Sequence, residues 1–158
     1  MFTPGGSEAI VRARAARRFA ERVHAGVADR YGAPLLDHVR RVAAAVPVEA
    51  CAVAWLHEVF EHSTASDADV RVIGATDDEL QAIRLLTRDP EADDRAYLDH
   101  VARIAAARGR AGELARAVKV ADLQDRLGHH APDTPDAPAR PAYDGALALL
   151  AGRPSLVT

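Results

Sequence analysis

Apolar residues recur three and four positions apart along most of the chain, the spacing typical of amphipathic helices. Glycine, proline or short polar stretches separate these stripes and end the helices. Ser7 is the expected N-cap of the first helix, and Thr76 with Glu79 forms a capping box that opens the fourth. The pattern predicts helices at about residues 7–29, 35–46, 48–62, 76 to just before 90, 93–108, 114–127 and 143–150.

The third predicted helix, residues 48–62, is apolar around most of its circumference until its last turn. Such a helix belongs in the centre of a bundle. A polar stretch follows it at residues 63–69, Gly109 is expected to close the fifth helix, and residues 130–141 form a proline-rich loop. Residues 1–7 are expected to be an N-terminal tail.

The composition favours an all-α fold. The chain has 158 residues, of which 49% are hydrophobic and only 4% are aromatic, and alanine, leucine and valine supply most of the apolar share. This mixture favours helices over strands, and the length allows one core without disulfides. We therefore expect a single domain, residues 1–158, built as a bundle of about seven to eight helices.

Charge and cysteine usage narrow the range of partners and compartments. A formal charge of -3 provides no basic field for a nucleic acid polymer or an anionic membrane. No apolar run approaches the roughly 20 residues of a membrane helix, and residues 1–7 lack the apolar stretch of a signal peptide. Cys51 is the single cysteine and cannot form an internal disulfide, as is usual in a reducing cytoplasm. The sequence predicts a cytoplasmic protein with a small-molecule ligand.

The strongest chemical signal is HEVFEH at residues 57–62, which ends the otherwise apolar third helix. Burying four ionisable side chains without a purpose would be costly. On a helix, Glu58 lies one turn before both Glu61 and His62, and these groups can face one cleft. The spacing is not that of a zinc protease, because Glu61 stands where the second histidine of that motif is required.

Two further ligand types lie elsewhere in the sequence. His38 is on the second helix, and Asp122 lies within the apolar run VKVADL of the sixth. An aspartate in such a run needs a cation or a hydrogen-bond donor. Together with His57 and Glu58, these residues offer two nitrogens and two carboxylates, a set that suits Mn, Fe or Zn better than Ca.

At these positions the chain resembles the HD superfamily of metal-dependent phosphohydrolases. Within that superfamily it is most similar to the (p)ppGpp hydrolase domain of RelA/SpoT proteins and to small alarmone hydrolases. HAG at residues 24–26 and YGAPLLDH at 31–38 are similar to the family's HxG and GxPYIxHP segments, and AWLHEVFEHS at 54–63 resembles ALLHDxxEDT. LT at 86–87 and VKVADL at 118–123 match its LT and VKLADL segments. The resemblance extends over about residues 18–150.

The resemblance implies a site and an activity. It implies an HD-domain fold in which one ion, Mn²⁺ or another divalent transition metal, is bound by His38, His57, Glu58 and Asp122. It further implies that Glu61 and His62 act on the hydrolytic water, and that Arg30 and Tyr143 contact the substrate, near the loop at 130–141. The implied reaction is hydrolysis of a phosphate or pyrophosphate group from a nucleotide, with a (p)ppGpp-like molecule favoured.

Four departures from the family pattern leave alternatives open. Glu58 replaces an aspartate, His62 replaces an aspartate, Arg126 replaces an asparagine and Val39 replaces a proline. Arg126 could bind a substrate phosphate, or it could pair with Glu58 or Asp122 and take the place of the metal. Glu58 could serve only as a salt-bridge partner, and His62 could be an acid or base or the solvated end of its helix. The alternative function is a degenerate HD domain that binds a nucleotide or a partner without catalysis.

Overall fold

The fold is all-α, as the sequence predicts. The structure, a computed structural model, describes residues 4–89, 91–129 and 140–152, and within these ranges it contains no β-strand, only an isolated bridge between Ala28 and Pro34. Besides a 3-10 turn at Val48–Ala50, the helices are α1 (Pro4–Val23), α2 (Leu35–Ala44), α3 (Cys51–Leu56), α4 (Val59–His62), α5 (Asp67–Val72), α6 (Asp77–Leu86), α7 (Asp94–Ala106), α8 (Gly109–Gly128) and α9 (Arg140–Leu150).

The core lies mainly between α1, α2, α3, α6 and α8, whose apolar faces meet in one large cluster. α3 is central to it, as predicted, and its Val53, Ala54 and Leu56 are fully buried. A second, smaller cluster joins α7 and α9 to α8 around Tyr97 and Tyr143. α8 therefore contacts both clusters, and it buries the polar side chains of Lys119 and Asp122 as well as apolar ones.

Several helix ends differ from the predicted ones. α1 begins at Pro4, so residues 4–7 are helical and are not a tail, and it ends at Val23, where the chain turns through Gly26 with φ +74°. α8 begins at Gly109, five residues before the predicted start. Gly112 allows this early start because a Cβ there would collide with the backbone carbonyl of Ala107. α9 begins at Arg140, and the predicted loop at 130–141 otherwise lies outside the described residues.

Side-chain caps account for one confirmed helix start and one that the prediction missed. Thr76 and Glu79 form the predicted capping box, with Glu79 Oε1 accepting from the Thr76 N–H at 2.9 Å. Ser66 and Asp69 form a second capping box, which opens α5 within the stretch predicted to be irregular. The Ser-x-x-Asp spacing of that stretch is the signal that predicts it.

The predicted continuous helix at residues 48–62 is wrong, because the chain breaks at His57 and Glu58. Nδ1 of His57 contacts the carbonyl of Ala54 at 2.6 Å. In an uninterrupted helix that carbonyl would accept the N–H of Glu58. The histidine ring thus competes with the backbone, and the chain resumes as α4 at Val59.

No helix in the described part of the chain is long and apolar enough to cross a membrane.

Candidate metal centre

Four buried side chains from three parts of the fold form a polar cage. His38 comes from α2, His57 and Glu58 from the break between α3 and α4, and Asp122 from α8. Each has one candidate ligand atom, and these four atoms all lie within 4.8 Å of one another. The structure therefore brings together the four predicted metal ligands, each at most 4% exposed.

Both histidines are oriented by groups outside the cage. Nδ1 of His57 faces the Ala54 carbonyl at 2.6 Å, and Nδ1 of His38 faces Oδ2 of Asp125 at 2.7 Å. A carbonyl or carboxylate at Nδ1 favours a hydrogen on that nitrogen, so Nε2 is the ring nitrogen that faces the cage and that could bind an ion once it has lost its proton. This second shell is typical of histidines that bind a metal.

Nε2 of His57 is the least satisfied atom of the cage. It is buried, and no group within the described ranges forms a hydrogen bond with it, although Oε1 of Glu58 lies 3.3 Å away. Burial is the largest single influence on the pKa of His57 and lowers it, but Asp122 and Glu58 together outweigh burial and raise that pKa to about 10. The two carboxylates thus hold the ring as a cation although Nε2 lacks an aligned acceptor, and a metal ion would have to displace the proton on that nitrogen.

Arg126 places a guanidinium between the two carboxylates. Its Nε donates to Oδ1 of Asp122 at 2.8 Å, and its Nη2 donates to Oε1 of Glu58, also at 2.8 Å. The same Nη2 lies 3.5 Å from Nε2 of His38. The interpretation in which Arg126 pairs with the cage carboxylates therefore describes the arrangement in this structure.

Lys119 neutralises the other side of Asp122. Its Nζ donates to Oδ2 of Asp122 at 2.9 Å, and the lysine is almost fully buried. Burial alone would raise the pKa of Asp122, but Arg126 and Lys119 outweigh it and hold that pKa well below the usual range. Asp122 is therefore a carboxylate at neutral pH, as a metal ligand must be.

Glu61 and His62, the predicted catalytic pair, lie beside Glu58. Nε2 of His62 is 3.1 Å from Oε2 of Glu58, and Oε1 of Glu61 accepts the backbone N–H of Arg88 at 2.6 Å. Burial, reinforced by the charge of Glu58, raises the pKa of Glu61 to about 7. A carboxyl group with this pKa can exchange a proton near neutral pH.

The cage opens into a cavity of about 480 Å³. The predicted substrate residues Arg30, Arg126 and Tyr143 all border it. Tyr143 is buried and packs edge to face against Tyr97, with ring centroids 5.9 Å apart. The lining also includes the cationic side chains of Arg41, Arg88 and Lys119. The acidic side chains of Asp29, Glu61 and Asp125 lie on the same wall, so the lining carries both charges. A space of this size suits a small organic ligand.

Sequence reasoning missed three supporting residues around the cage. Lys119 lies three residues before Asp122 and Asp125 lies three after it, so both share one face of α8. Arg41 lies three residues after His38 on α2, and its Nε donates to Oδ1 of Asp125 at 2.6 Å. The helical spacing around each predicted ligand was the signal that could have identified them.

The donor set fits a divalent ion. Two imidazole nitrogens with their Nδ1 atoms engaged elsewhere, and two carboxylates, could hold one transition metal, and the identity of that metal is left open by the donors alone. Neither a protein-family model nor a curated protein sequence matches the chain.

Proposed function

We propose that this chain is an HD-type, metal-dependent hydrolase that releases phosphate or pyrophosphate from a nucleotide, with a (p)ppGpp-like substrate favoured. The proposal depends above all on the cage, in which both histidines direct Nε2 toward two carboxylates. His38, His57, Glu58 and Asp122 would hold Mn²⁺, the ion that the resemblance to HD enzymes implies. When bound, such an ion lowers the pKa of water and neutralises charge on phosphoryl oxygens.

Glu61 is the residue we assign to proton transfer. Its pKa of about 7 means that much of it is ionised at neutral pH, while burial keeps it basic enough to accept a proton from water. The N–H of Arg88 fixes one of its oxygens at 2.6 Å. His62 lies on the same turn and contacts Glu58. It is therefore placed to exchange a proton with the Glu58 carboxylate.

The cavity wall supports an anionic nucleotide as substrate. Arg30 and Arg88 border it, and a guanidinium can bind phosphate oxygens in pairs. Tyr97 and Tyr143 also border the cavity, but both rings are buried and pack against each other. The wall thus offers cations for phosphates, and the support for a nucleotide comes from these cations and from the resemblance to HD enzymes.

A second candidate function is nucleotide or partner binding without catalysis. One observation favours it: the guanidinium of Arg126 already bridges Glu58 and Asp122 at 2.8 Å from each. If the bridge is permanent, no ion enters the cage and the cavity serves only for binding.

Metal analysis followed by a turnover screen tests the proposal. The purified chain should contain or take up about one transition-metal ion, and Mn²⁺ should stimulate release of phosphate or pyrophosphate from (p)ppGpp more than from simple nucleoside triphosphates. Glu61→Gln is the matched control, since it should still bind Mn²⁺ while turnover falls about 10²–10⁴-fold. Absence of bound metal, of thermal stabilisation by Mn²⁺ and of turnover would together refute the proposal.

Glu58→Asp separates the two candidates. The shorter aspartate is the ligand of the HD pattern, so a hydrolase cage should bind Mn²⁺ more tightly after the change. An abandoned site should show no change in affinity. Metal affinity can be read by titration calorimetry without knowledge of the substrate.

A further inference from the structure

We infer that Arg126 and a divalent ion exclude each other from the cage, so that the guanidinium must leave before the ion binds. The inference rests on the metal site of the proposed function and goes beyond it, because it assigns to Arg126 control over whether the ion can enter. Among the arginine and lysine side chains in the described part of the chain, Arg126 is the one that bonds to both cage carboxylates.

The first step is that the guanidinium and an ion would use the same atoms. Nε of Arg126 is bonded to Oδ1 of Asp122, and Nη2 is bonded to Oε1 of Glu58. Those two oxygens are also the carboxylate atoms nearest to Nε2 of His38, at 3.0 and 3.7 Å. An ion bound by that nitrogen and those oxygens, each about 2.0–2.3 Å from it, would lie against the guanidinium.

The second step is charge. In the structure, the carboxylates of Glu58 and Asp122 are matched by the guanidinium of Arg126 and the ammonium of Lys119. These two cations therefore already balance the two carboxylates before any ion enters. A divalent ion that entered beside both cations would leave excess positive charge in a buried site, which is strongly unfavourable.

The third step is that the side chain of Arg126, unlike that of Lys119, has space into which it can move. The side chain of Arg126 is 18% exposed and borders the cavity, whereas that of Lys119 is 6% exposed and uses the outer oxygen of Asp122. Rotation of the arginine toward the cavity would free Oδ1 and Oε1 and leave the lysine bond intact. The released guanidinium would then face the cavity that Arg30 and Arg88 also border.

Titration calorimetry of Mn²⁺ into EDTA-stripped protein tests the exclusion. Arg126→Asn should bind Mn²⁺ at least tenfold more tightly than the unaltered chain, because no competitor has to leave. In EDTA, the same variant should have a lower Tm than the unaltered chain, and Mn²⁺ should restore it. Arg126→Gln, which keeps more of the aliphatic stem, is measured in parallel in case the asparagine variant fails to fold.

Arg88→Asn is the matched control for charge. Arg88 also borders the cavity, but its guanidinium lies over the Tyr97 ring, 5.1 Å from the centroid, and not on a cage carboxylate. Its loss should change Mn²⁺ affinity less than threefold. An equal gain in both variants would mean a general charge effect and would overturn the inference, as would unchanged or weaker binding in the Arg126 variants.

The outcomes separate this inference from the proposed function. If only the Arg126 variants bind Mn²⁺, exclusion is supported and a metal-dependent activity of the unaltered chain fails. If the unaltered chain binds Mn²⁺ and the Arg126 variants gain nothing, exclusion fails and the proposed function stands. If neither binds Mn²⁺, both are overturned.

Discussion

Two kinds of buried histidine occur in this fold. His57 in the cage is 4% exposed, and His24 and His100 outside it are 1% and 6% exposed, so burial is nearly equal. Burial lowers the pKa of His24 and of His100 to about 4, whereas Asp122 and Glu58 overcome burial and raise that of His57 to about 10. Neighbouring carboxylates, and not depth in the core, therefore decide the charge of a histidine here.

Hydrogen bonds divide these histidines less sharply than charge does. Both ring nitrogens of His24, Nε2 of His100 and Nε2 of His57 are without hydrogen-bond partners in the ranges that the structure describes. The difference lies in the neighbouring charges. Two carboxylates act directly on His57, whereas burial outweighs the charges that act on His24 and His100.

Removal of the charge of Asp122 should have the largest effect on the free energy of unfolding. Asp122→Asn leaves Arg126 and Lys119 buried without their shared carboxylate, so we expect a loss of about 3–5 kcal/mol in the free energy of unfolding in EDTA. Urea denaturation measures it. Asp144→Asn, at an exposed position of α9, should change the same quantity by less than about 0.5 kcal/mol. A loss below about 1 kcal/mol for Asp122→Asn would mean that the ion pairs of Asp122 do not stabilise the fold.

The fold class could be predicted because it depends on local patterns. Apolar stripes and the Thr76–Glu79 capping box locate helices directly. The four cage ligands could be predicted only because the order of motifs resembles a known family, since chain order alone does not show that His38 and Asp122 meet.

The remaining details depend on tertiary contacts that have no local pattern. The helix break at His57 arises from one ring nitrogen that contacts a backbone carbonyl, and apolar periodicity predicts an unbroken helix there. The position of Arg126 was left open for the same reason: only the structure shows that its guanidinium reaches Glu58, 68 positions away in sequence. Asp125 has a local signal, its spacing of three from Asp122, but that spacing does not show that its partner is His38 on another helix.

His24 and His100 should make the stability of the fold sensitive to acid. Their folded-state pKa of about 4 lies below the usual 6.5, so they contribute stability above pH 6.5 that is lost as pH falls toward 4. Each should lower the free energy of unfolding by up to about 1.4 kcal/mol per pH unit in that window. Urea titrations at several pH values measure this slope.

Variants at His24 and His100 test whether these residues cause the loss of stability in acid. His24→Leu and His100→Asn should each flatten the acid slope, since neither side chain takes up a proton there. Measurement of the same variants at pH 8, where the histidines are neutral, separates packing effects from protonation. An acid slope identical to that of the unaltered chain in both variants would rule out this origin of the sensitivity.

Removal of the Asp125 carboxylate, which contacts His38, should have a smaller effect, which is measured on metal binding. Asp125 faces Nδ1 of His38 and also accepts from Arg41. Asp125→Ala should lower Mn²⁺ affinity by about 10–100-fold, the usual result of removing a second-shell carboxylate. Gln124→Ala, at the exposed neighbouring position, should leave the affinity unchanged. Equal affinities of the two variants would mean that Asp125 does not orient the ring.

His62 combines features of both kinds of histidine and should have the smallest effect. Its Nε2 lies 3.1 Å from Oε2 of Glu58, but the side chain is 35% exposed. The bond with Glu58 raises the pKa of His62, so its stabilising effect is complete below pH 6.5 and is lost as pH rises through the raised pKa. Because solvent screens the pair, His62→Gln should cost at most about 1 kcal/mol at pH 6.

The pH dependence of His62→Gln is the distinguishing observation. Urea midpoints of the variant and the unaltered chain should differ most at pH 6 and approach each other as pH rises through the raised pKa, while Thr64→Ala, at a nearby exposed position, should show no such trend. A constant difference across this range would mean that packing, and not charge, is involved. Protonation that weakens the fold at His24 should therefore strengthen it at His62, because only His62 gains its proton in hydrogen-bond contact with the Glu58 carboxylate.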